Sequence, residues 1–207
     1  MPAASATEED QAQAVSESVT IPMRLLGLLP LAFFAAHLSF YWRNGGLDNM
    51  LWMCTVGNLV LAIGLLFGLR WMIRVAVIWL VPGLPLWLYY VAVNGGWLLT
   101  SFFTHVGALI VGLFAVYKIR ASRWTWVHAF VWFLLVQQLS RMVTTPYWNV
   151  NVAHRVYEGW EGVFSSYWQY WLASTGVVAA GLWVLGLFLL GLFPRSAGPR
   201  AASAGPD

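Results

Sequence analysis

Six long apolar stretches, separated by short polar or glycine-containing breaks, dominate the pattern of this chain. A membrane-spanning helix needs about 20 mostly apolar residues, and each stretch is close to that length. Because lipid offers the backbone no hydrogen-bond partners, we expect helices, and the alternating segments of a membrane β-barrel do not occur. The predicted spans are residues 25–41, 51–69, 75–93, 98–117, 124–143 and 167–193. Pro82 and Pro85 fall inside the third span and should kink it. The pattern predicts an all-α, polytopic integral membrane bundle of six transmembrane helices.

The two ends of the chain differ from the apolar centre. Residues 1–20 contain acidic residues among Ala, Ser and Gln, without the basic and apolar succession of a signal peptide. Residues 196–207 are rich in Ala, Gly, Pro and Ser. Such segments cannot bury enough apolar surface to fold, so both are predicted to be disordered tails. Residues 21–195 then form one transmembrane domain.

Composition supports a membrane protein. The chain has 207 residues, of which 60% are hydrophobic and 9% are charged, whereas soluble domains carry about 25% charged residues. The sequence pI is about 9.2, but the basic residues are scattered between apolar runs. A continuous basic stripe is absent, which argues against nucleic acid as a partner. The expected partners are membrane lipids and, in one interpretation, other membrane protein subunits.

The basic residues also predict the orientation. Six spans place both termini on one side, together with the links near Arg70 and Lys118. Eight basic residues fall on that side: Arg24, Arg70, Arg74, Lys118, Arg120, Arg123, Arg195 and Arg200. Three fall on the other side: Arg43, Arg141 and Arg155. Since Lys and Arg favour the cytoplasm, both termini are predicted to be cytoplasmic, in a bacterial inner membrane, with the long link 144–167 outside.

Polar residues inside the spans concentrate toward the outer side, and two of them suggest chemistry. Cys54, the only cysteine, lies about one turn below the outer end of the second span. His105 lies about 10 Å below the outer end of the fourth span, at about 1.5 Å per residue. Asn58 shares the face of Cys54 by its spacing of four residues. A buried cysteine is more often a small apolar core residue, and a lone histidine more often joins helices by a hydrogen bond.

If Cys54 and His105 meet, they form a candidate catalytic pair for lipid esters. An imidazole can generate a thiolate, which attacks an acyl carbonyl and forms a thioester. Asn58 or Asn149 could stabilise the oxyanion, and Arg155 could hold a phosphate group. No metal site is expected, because the four histidines and the cysteine lack ligand spacing. No cofactor is expected either.

Several segments resemble the bacterial YwaF-type membrane proteins, which are relatives of an animal transmembrane phospholipid acyltransferase. The similar segments are Leu51-Trp-Met-Cys54-Thr-Val-Gly-Asn58-Leu-Val-Leu-Ala-Ile-Gly64, Leu80-Val-Pro-Gly-Leu-Pro85, Ser101-Phe-Phe-Thr-His105-Val-Gly-Ala108 and Tyr147-Trp-Asn149-Val-Asn-Val-Ala-His-Arg155. Together they cover residues 51–155, about half of the chain. The resemblance implies a polytopic helical fold and, in some members, a Cys/His pair that moves fatty acyl groups. Cys54 would then be the nucleophile and His105 the base.

The chain departs from that family at two positions. Relatives often carry a histidine two residues before the cysteine, where this chain has Trp52. A basic residue followed by proline often follows the family arginine, where this chain has Val156 and Tyr157.

Three other interpretations stay open. The aromatic density and the sparse charge also suit a non-catalytic helical subunit of a larger membrane complex. His37 and His105 lie at comparable depth, as paired ligands of a haem would, or as residues of a quinone site. The interrupted third span is a feature of some transporters, although no acidic residue lies at mid-membrane.

Overall fold

The computed structural model describes residues 19–194, so the predicted tails lie almost entirely outside the described residues. Helices account for most of this part, and no strand occurs within it. In chain order the helices are α1 (Ile21–Asn44), α2 (Met53–Leu66), α3 (Arg70–Asn94), α4 (Leu99–Ile119), α5 (Thr125–Val143) and α6 (Tyr167–Leu192). Helix α1 has a turn after Leu25, and α3 continues through Pro82 and Pro85. For residues 19–194 the prediction of an all-α fold is confirmed, and these six helices correspond to the six predicted spans.

Four of the six helices are long and apolar enough to cross a membrane: α1, α3, α4 and α6. This indicates a membrane protein. Helix α2 has 14 residues and rises only about 21 Å at 1.5 Å per residue, less than the apolar thickness of a bilayer. Helix α5 is longer, but His128, Gln137, Gln138 and Arg141 lower its hydropathy. The second predicted span, residues 51–69, is therefore shorter in the structure than the apolar run of the sequence.

Helix α2 lies at the centre of the bundle, packed against α1, α3 and α4. Leu61 and Leu65 of α2 are fully buried. Two glycines let helices approach closely: a side chain at Gly64 would lie 2.9 Å from Ile73, and one at Gly112 would lie 2.7 Å from Val77. Small residues at such contacts allow close packing of helices in membranes. A helix enclosed in this way need not match the thickness of the bilayer.

The polar contacts define two ends of the bundle. At the first, here called the terminal end, Arg74 donates to the carbonyls of Ile119 and Arg120 at 2.8 Å, and the Ala121 amide donates to the Phe193 carbonyl at 3.1 Å. The start of α3, the end of α4 and the end of α6 therefore meet there.

At the opposite end, here called the loop end, the link between α5 and α6 covers the start of α2. The Thr145 amide and hydroxyl donate to the Asp48 carboxylate at 2.7 and 2.8 Å. The Met53 amide, at the start of α2, donates to Asn151 Oδ1 at 3.2 Å. Cys54 and His105 both lie toward this end of the bundle.

Candidate functional site

His105 lies in a π turn, Phe103–Gly107, that interrupts α4. Such single π turns occur frequently at functional sites. His105 Nδ1 is 2.8 Å from the Ser101 carbonyl oxygen. Because that oxygen can only accept, Nδ1 carries the proton and Nε2 is the basic nitrogen. The imidazole also stacks on Trp87 of α3, with 5.2 Å between ring centroids and 12° between planes. Two helices therefore fix the orientation of this buried ring.

Cys54 is the second residue of α2, and its side chain is partly exposed. The first turn of a helix presents backbone N–H groups that favour a negative charge. The thiol therefore lies at the amide end of α2, in a mostly apolar helix.

Gly83 of α3 is where Cys54 and His105 converge. A Cβ atom at Gly83 would lie 3.2 Å from Cys54 Cβ and 3.9 Å from His105 Cδ2. Cδ2 is bonded to Nε2, the basic nitrogen, but Nε2 and Cys54 Sγ both lie more than 4 Å from this Cβ position. No hydrogen bond joins Cys54 to His105 among residues 19–194. Cys54 and His105 thus both lie beside one position on α3 that has no side chain.

Asn58 links the helix of Cys54 to the turn of His105. Its side-chain amide nitrogen donates to the carbonyl oxygens of Cys54 and Thr104, each at 2.9 Å. Both amide hydrogens are therefore occupied by backbone groups. The oxyanion role of Asn58 stays a prediction, and its observed contacts are those of a positioning residue. Its Oδ1 atom is buried and has no hydrogen-bond partner in the described part of the chain.

His37 of α1 borders the same site. Its Nδ1 lies 2.9 Å from the Thr100 hydroxyl, and its ring meets the edge of Tyr41 with 4.9 Å between centroids. Four helices, α1 to α4, therefore contribute polar or aromatic groups around the Cys54–His105 pair.

Asn149 and Arg155 lie in the loop-end link, where they contact each other and not the pair. Asn149 Oδ1 accepts from the amides of His154 and Arg155 at 3.0 and 3.1 Å, and Asn149 Nδ2 donates to the Arg155 carbonyl at 3.1 Å. The exposed Arg155 guanidinium donates to the Tyr147 carbonyl at 3.4 Å. The structure thus brings Cys54, Asn58 and His105 together and places Asn149 and Arg155 in a separate hydrogen-bonded turn. Their roles toward substrate stay predictions.

Asn151 connects that turn to the site, and the sequence did not distinguish it from its neighbours. Besides accepting from Met53, its side chain donates to the Leu51 carbonyl at 2.7 Å and to the Ser140 hydroxyl at 3.0 Å. Its own carbonyl accepts from Gln137 at 3.1 Å. Asn151 has a positive φ of 52°, a conformation that asparagine tolerates better than most residues. Its place in a short polar segment was the only available signal.

Gly83, Trp87 and Ser101 were also missed as parts of the site. In the sequence these three residues look like ordinary members of apolar helices. Helical periodicity does not predict a π turn or a specific contact between helices. Among residues 19–194, no group of three or more His, Cys, Asp or Glu side chains is placed to hold a metal ion. No protein-family model, characterised protein or solved structure matches the chain significantly.

Proposed function

We propose that this protein is a bacterial inner-membrane enzyme, similar to YwaF-type proteins, that transfers or hydrolyses the acyl groups of membrane lipids. Its six helices span the bilayer, with both termini cytoplasmic and the loop end outside. Helix α2 is enclosed by α1, α3 and α4, whereas α5 presents exposed apolar residues such as Val131 and Leu135 to the lipid. Cys54 is the nucleophile and His105 is the general base, beneath the outer leaflet.

The observation that carries this proposal is the convergence of Cys54 and His105 on Gly83. A nucleophile and a base come from separate helices, and Cys54 Cβ and His105 Cδ2 both lie within 4 Å of the Cβ position that Gly83 leaves empty. The base has a defined tautomer through Ser101 and a fixed plane through Trp87. If Cys54 were only a core residue and His105 only a link between helices, the two side chains would have no reason to lie beside the same glycine.

The first half of the reaction forms a thioester. The Cys54 thiol gives its proton to His105 Nε2, and the thiolate attacks the carbonyl carbon of a lipid ester. When the tetrahedral intermediate collapses, the bond to the alkoxide oxygen breaks and the imidazolium protonates that alkoxide. The N–H groups in the first turn of α2 are suited to stabilise the developing negative charge.

The second half regenerates the enzyme. A second lipid alcohol, or water, gives its proton to His105 Nε2 as its oxygen attacks the thioester carbonyl. The carbon–sulfur bond then breaks, and the imidazolium returns the proton to the departing Cys54 thiolate. An alcohol acceptor gives acyl transfer, whereas water gives hydrolysis. Catalytic hydrogen bonds are often absent before substrate binds, so the thiol must rotate toward the imidazole when the lipid enters.

A lipid-turnover assay tests the proposal. The full chain, reconstituted in phospholipid nanodiscs, is incubated with a fluorescent acyl-labelled phospholipid, and the free and transferred acyl groups are separated. Cys54→Ala and His105→Ala should abolish turnover and leave the helix content unchanged. His128→Ala is the matched control, because His128 is an exposed histidine near the start of α5. Turnover that survives in Cys54→Ala would remove the thiol from the mechanism.

The alternative is a non-catalytic subunit of a membrane complex, and the last part of α3 favours it. After Pro85 this helix exposes Leu86, Tyr89, Tyr90 and Val93, and Trp97 beyond it is also exposed. Such an aromatic surface suits packing against another protein within the bilayer. This alternative predicts a partner that co-purifies in constant ratio and is lost on Tyr89→Ala, together with a Cys54→Ala variant that behaves like the wild type.

A further inference from the structure

A cleft of about 340 Å³ lies between α5 and α6 at the terminal end, far from Cys54 and His105. Its size falls in the range of about 300–1,000 Å³ typical of ligand clefts. It is lined by Arg123, Trp124, Trp126, Trp183, Gly186, Leu187 and Leu190. The cleft is thus mostly aromatic and aliphatic, with one basic residue.

The apolar wall of the cleft is a single stripe along α6. Trp183, Gly186, Leu187 and Leu190 follow the i, i+3, i+4, i+7 spacing of one helix face. The stripe extends about 10 Å, at 1.5 Å per residue. Gly186 lets α6 pack closely on α5, because a Cβ at this position would already lie 3.1 Å from Trp126 Cβ. Trp183, Leu187 and Leu190 border the cleft beside this contact and give it an apolar wall that suits a hydrocarbon chain.

The basic end of the cleft is at the membrane surface in the proposed topology. Arg123 comes just before α5, and its guanidinium lies 5.3 Å from the centre of the exposed Trp124 ring. Exposed tryptophan and arginine are typical of the headgroup level of a membrane. The acidic residues of the described part, Asp48, Glu158 and Glu161, belong to links at the loop end. No carboxylate within residues 19–194 therefore neutralises this end of the cleft.

We propose that the cleft binds an anionic phospholipid of the cytoplasmic leaflet, with its phosphate at Arg123 and one acyl chain along Trp183, Leu187 and Leu190. Basic pockets between transmembrane helices on the cytoplasmic side bind acidic lipid headgroups in this way. The long apolar stripe distinguishes a lipid from a soluble anion, and the single positive charge favours an anionic lipid over a zwitterionic one. This site is independent of the Cys54–His105 pair.

Native mass spectrometry of the full chain, delipidated in detergent and titrated with phosphatidylglycerol or phosphatidylcholine, tests the proposal. The wild type should retain one phosphatidylglycerol in preference to phosphatidylcholine. One basic contact at a membrane surface contributes about 1 kcal/mol, so Arg123→Gln should weaken phosphatidylglycerol retention about fivefold. Arg123→Lys should keep most of it, and Leu187→Trp, which fills the groove, should reduce retention of both lipids.

Arg43→Gln is the matched control, since Arg43 is an exposed arginine at the loop end. It should retain phosphatidylglycerol as the wild type does. Equal retention of the two lipids, or an Arg123→Gln variant that binds like the wild type, would overturn the proposal. So would competition by inorganic phosphate at millimolar concentration, because it would show a soluble-anion site. The two proposals are tested separately. An absence of lipid turnover would not contradict the lipid site at Arg123, and an absence of lipid retention would not contradict the catalytic role of Cys54 and His105.

Discussion

Cys54 Cβ and His105 Cδ2 both lie within 4 Å of the point where a side chain on Gly83 would begin. Cys54 lies in the first turn of α2, and His105 lies in the π turn of α4. The helix between them in sequence, α3, supplies both the bare position at Gly83 and the aromatic ring that stacks on the imidazole. The following predictions depend on this arrangement.

Replacing Gly83 by alanine should impair the reaction between Cys54 and His105 while preserving the fold. The new methyl group would lie 3.2 Å from Cys54 Cβ, tight enough to displace the cysteine, whereas its 3.9 Å distance from His105 Cδ2 is an ordinary contact. Because small misplacements of reacting groups are costly, turnover should fall by roughly tenfold to a hundredfold. Helix propensity favours alanine over glycine, so thermal stability in detergent should change little. Gly181→Ala on α6, where a side chain would meet open space, is the control. Full activity in Gly83→Ala would contradict the proposal that Cys54 and His105 react with each other beside Gly83.

Replacing Trp87 should loosen the imidazole without removing it. Aromatic pairs contribute about 0.5–1.5 kcal/mol beyond their buried area, and here the stack fixes the plane of the His105 ring. Trp87→Ala should therefore lower turnover by roughly tenfold or more, whereas Trp87→Phe, which keeps a stacking ring, should recover most of it. Lipid turnover and the unfolding midpoint are measured for both variants. The comparison separates a loss of imidazole positioning from a loss of protein stability. Equal activity of the alanine and phenylalanine variants would argue against a positioning role.

Asn58→Ala should destabilise the bundle around the π turn. The substitution leaves the Cys54 and Thr104 carbonyls without the donor that they now share. A buried group that loses its partner costs about 1–3 kcal/mol, so the unfolding transition should move to distinctly lower temperature. Gln138→Ala on the exposed face of α5 should leave the transition in place. If Asn58→Ala unfolds at the wild-type temperature, then Asn58 does not hold α2 to α4.

Asn151→Ala should release the link 144–166 from the start of α2. The variant loses the contacts to Met53, Leu51 and Ser140, and loss of a helix cap alone costs about 0.5–2 kcal/mol. Limited proteolysis should therefore cleave this link faster than in the wild type. Asn151→Gly tolerates the positive φ and still lacks the side chain, so it should be cleaved nearly as fast as Asn151→Ala. Recovery of wild-type resistance in the glycine variant would assign the effect to backbone strain. Asn94→Ala, at an exposed helix end, is the control.

The orientation has its own test. Reporter tags at the two termini should be inaccessible to protease in intact spheroplasts, and a tag inserted beside Glu158 should be accessible. This follows from the excess of Lys and Arg at the terminal end. External termini would reverse the assignment of both leaflets and would place the Arg123 cleft on the outside.

Hydropathy was enough to predict six helices and their approximate bounds, because long apolar runs leave the backbone few alternatives in lipid. It overestimated α2, since Leu51 ends a separate 3₁₀ helix, Leu47–Leu51, and Leu69 lies in the link to α3. The sequence also indicated Cys54, Asn58 and His105, which are conspicuous as reactive or polar groups in apolar helices. The roles of Gly83 and Asn151 depend on contacts between distant segments, which no local pattern encodes. For the same reason the sequence grouped Asn149 and Arg155 with the pair, whereas hydrogen bonds hold them in a turn of their own.

The most direct test of the mechanism is a search for the covalent intermediate on Cys54. The full chain in phospholipid nanodiscs is quenched in acid and digested, and the peptide that contains Cys54 is weighed with and without hydroxylamine, which cleaves thioesters. The account predicts a fatty acyl mass on this peptide that hydroxylamine removes and that Gly83→Ala diminishes. An unmodified Cys54 peptide from a preparation that turns over lipid esters would contradict the account.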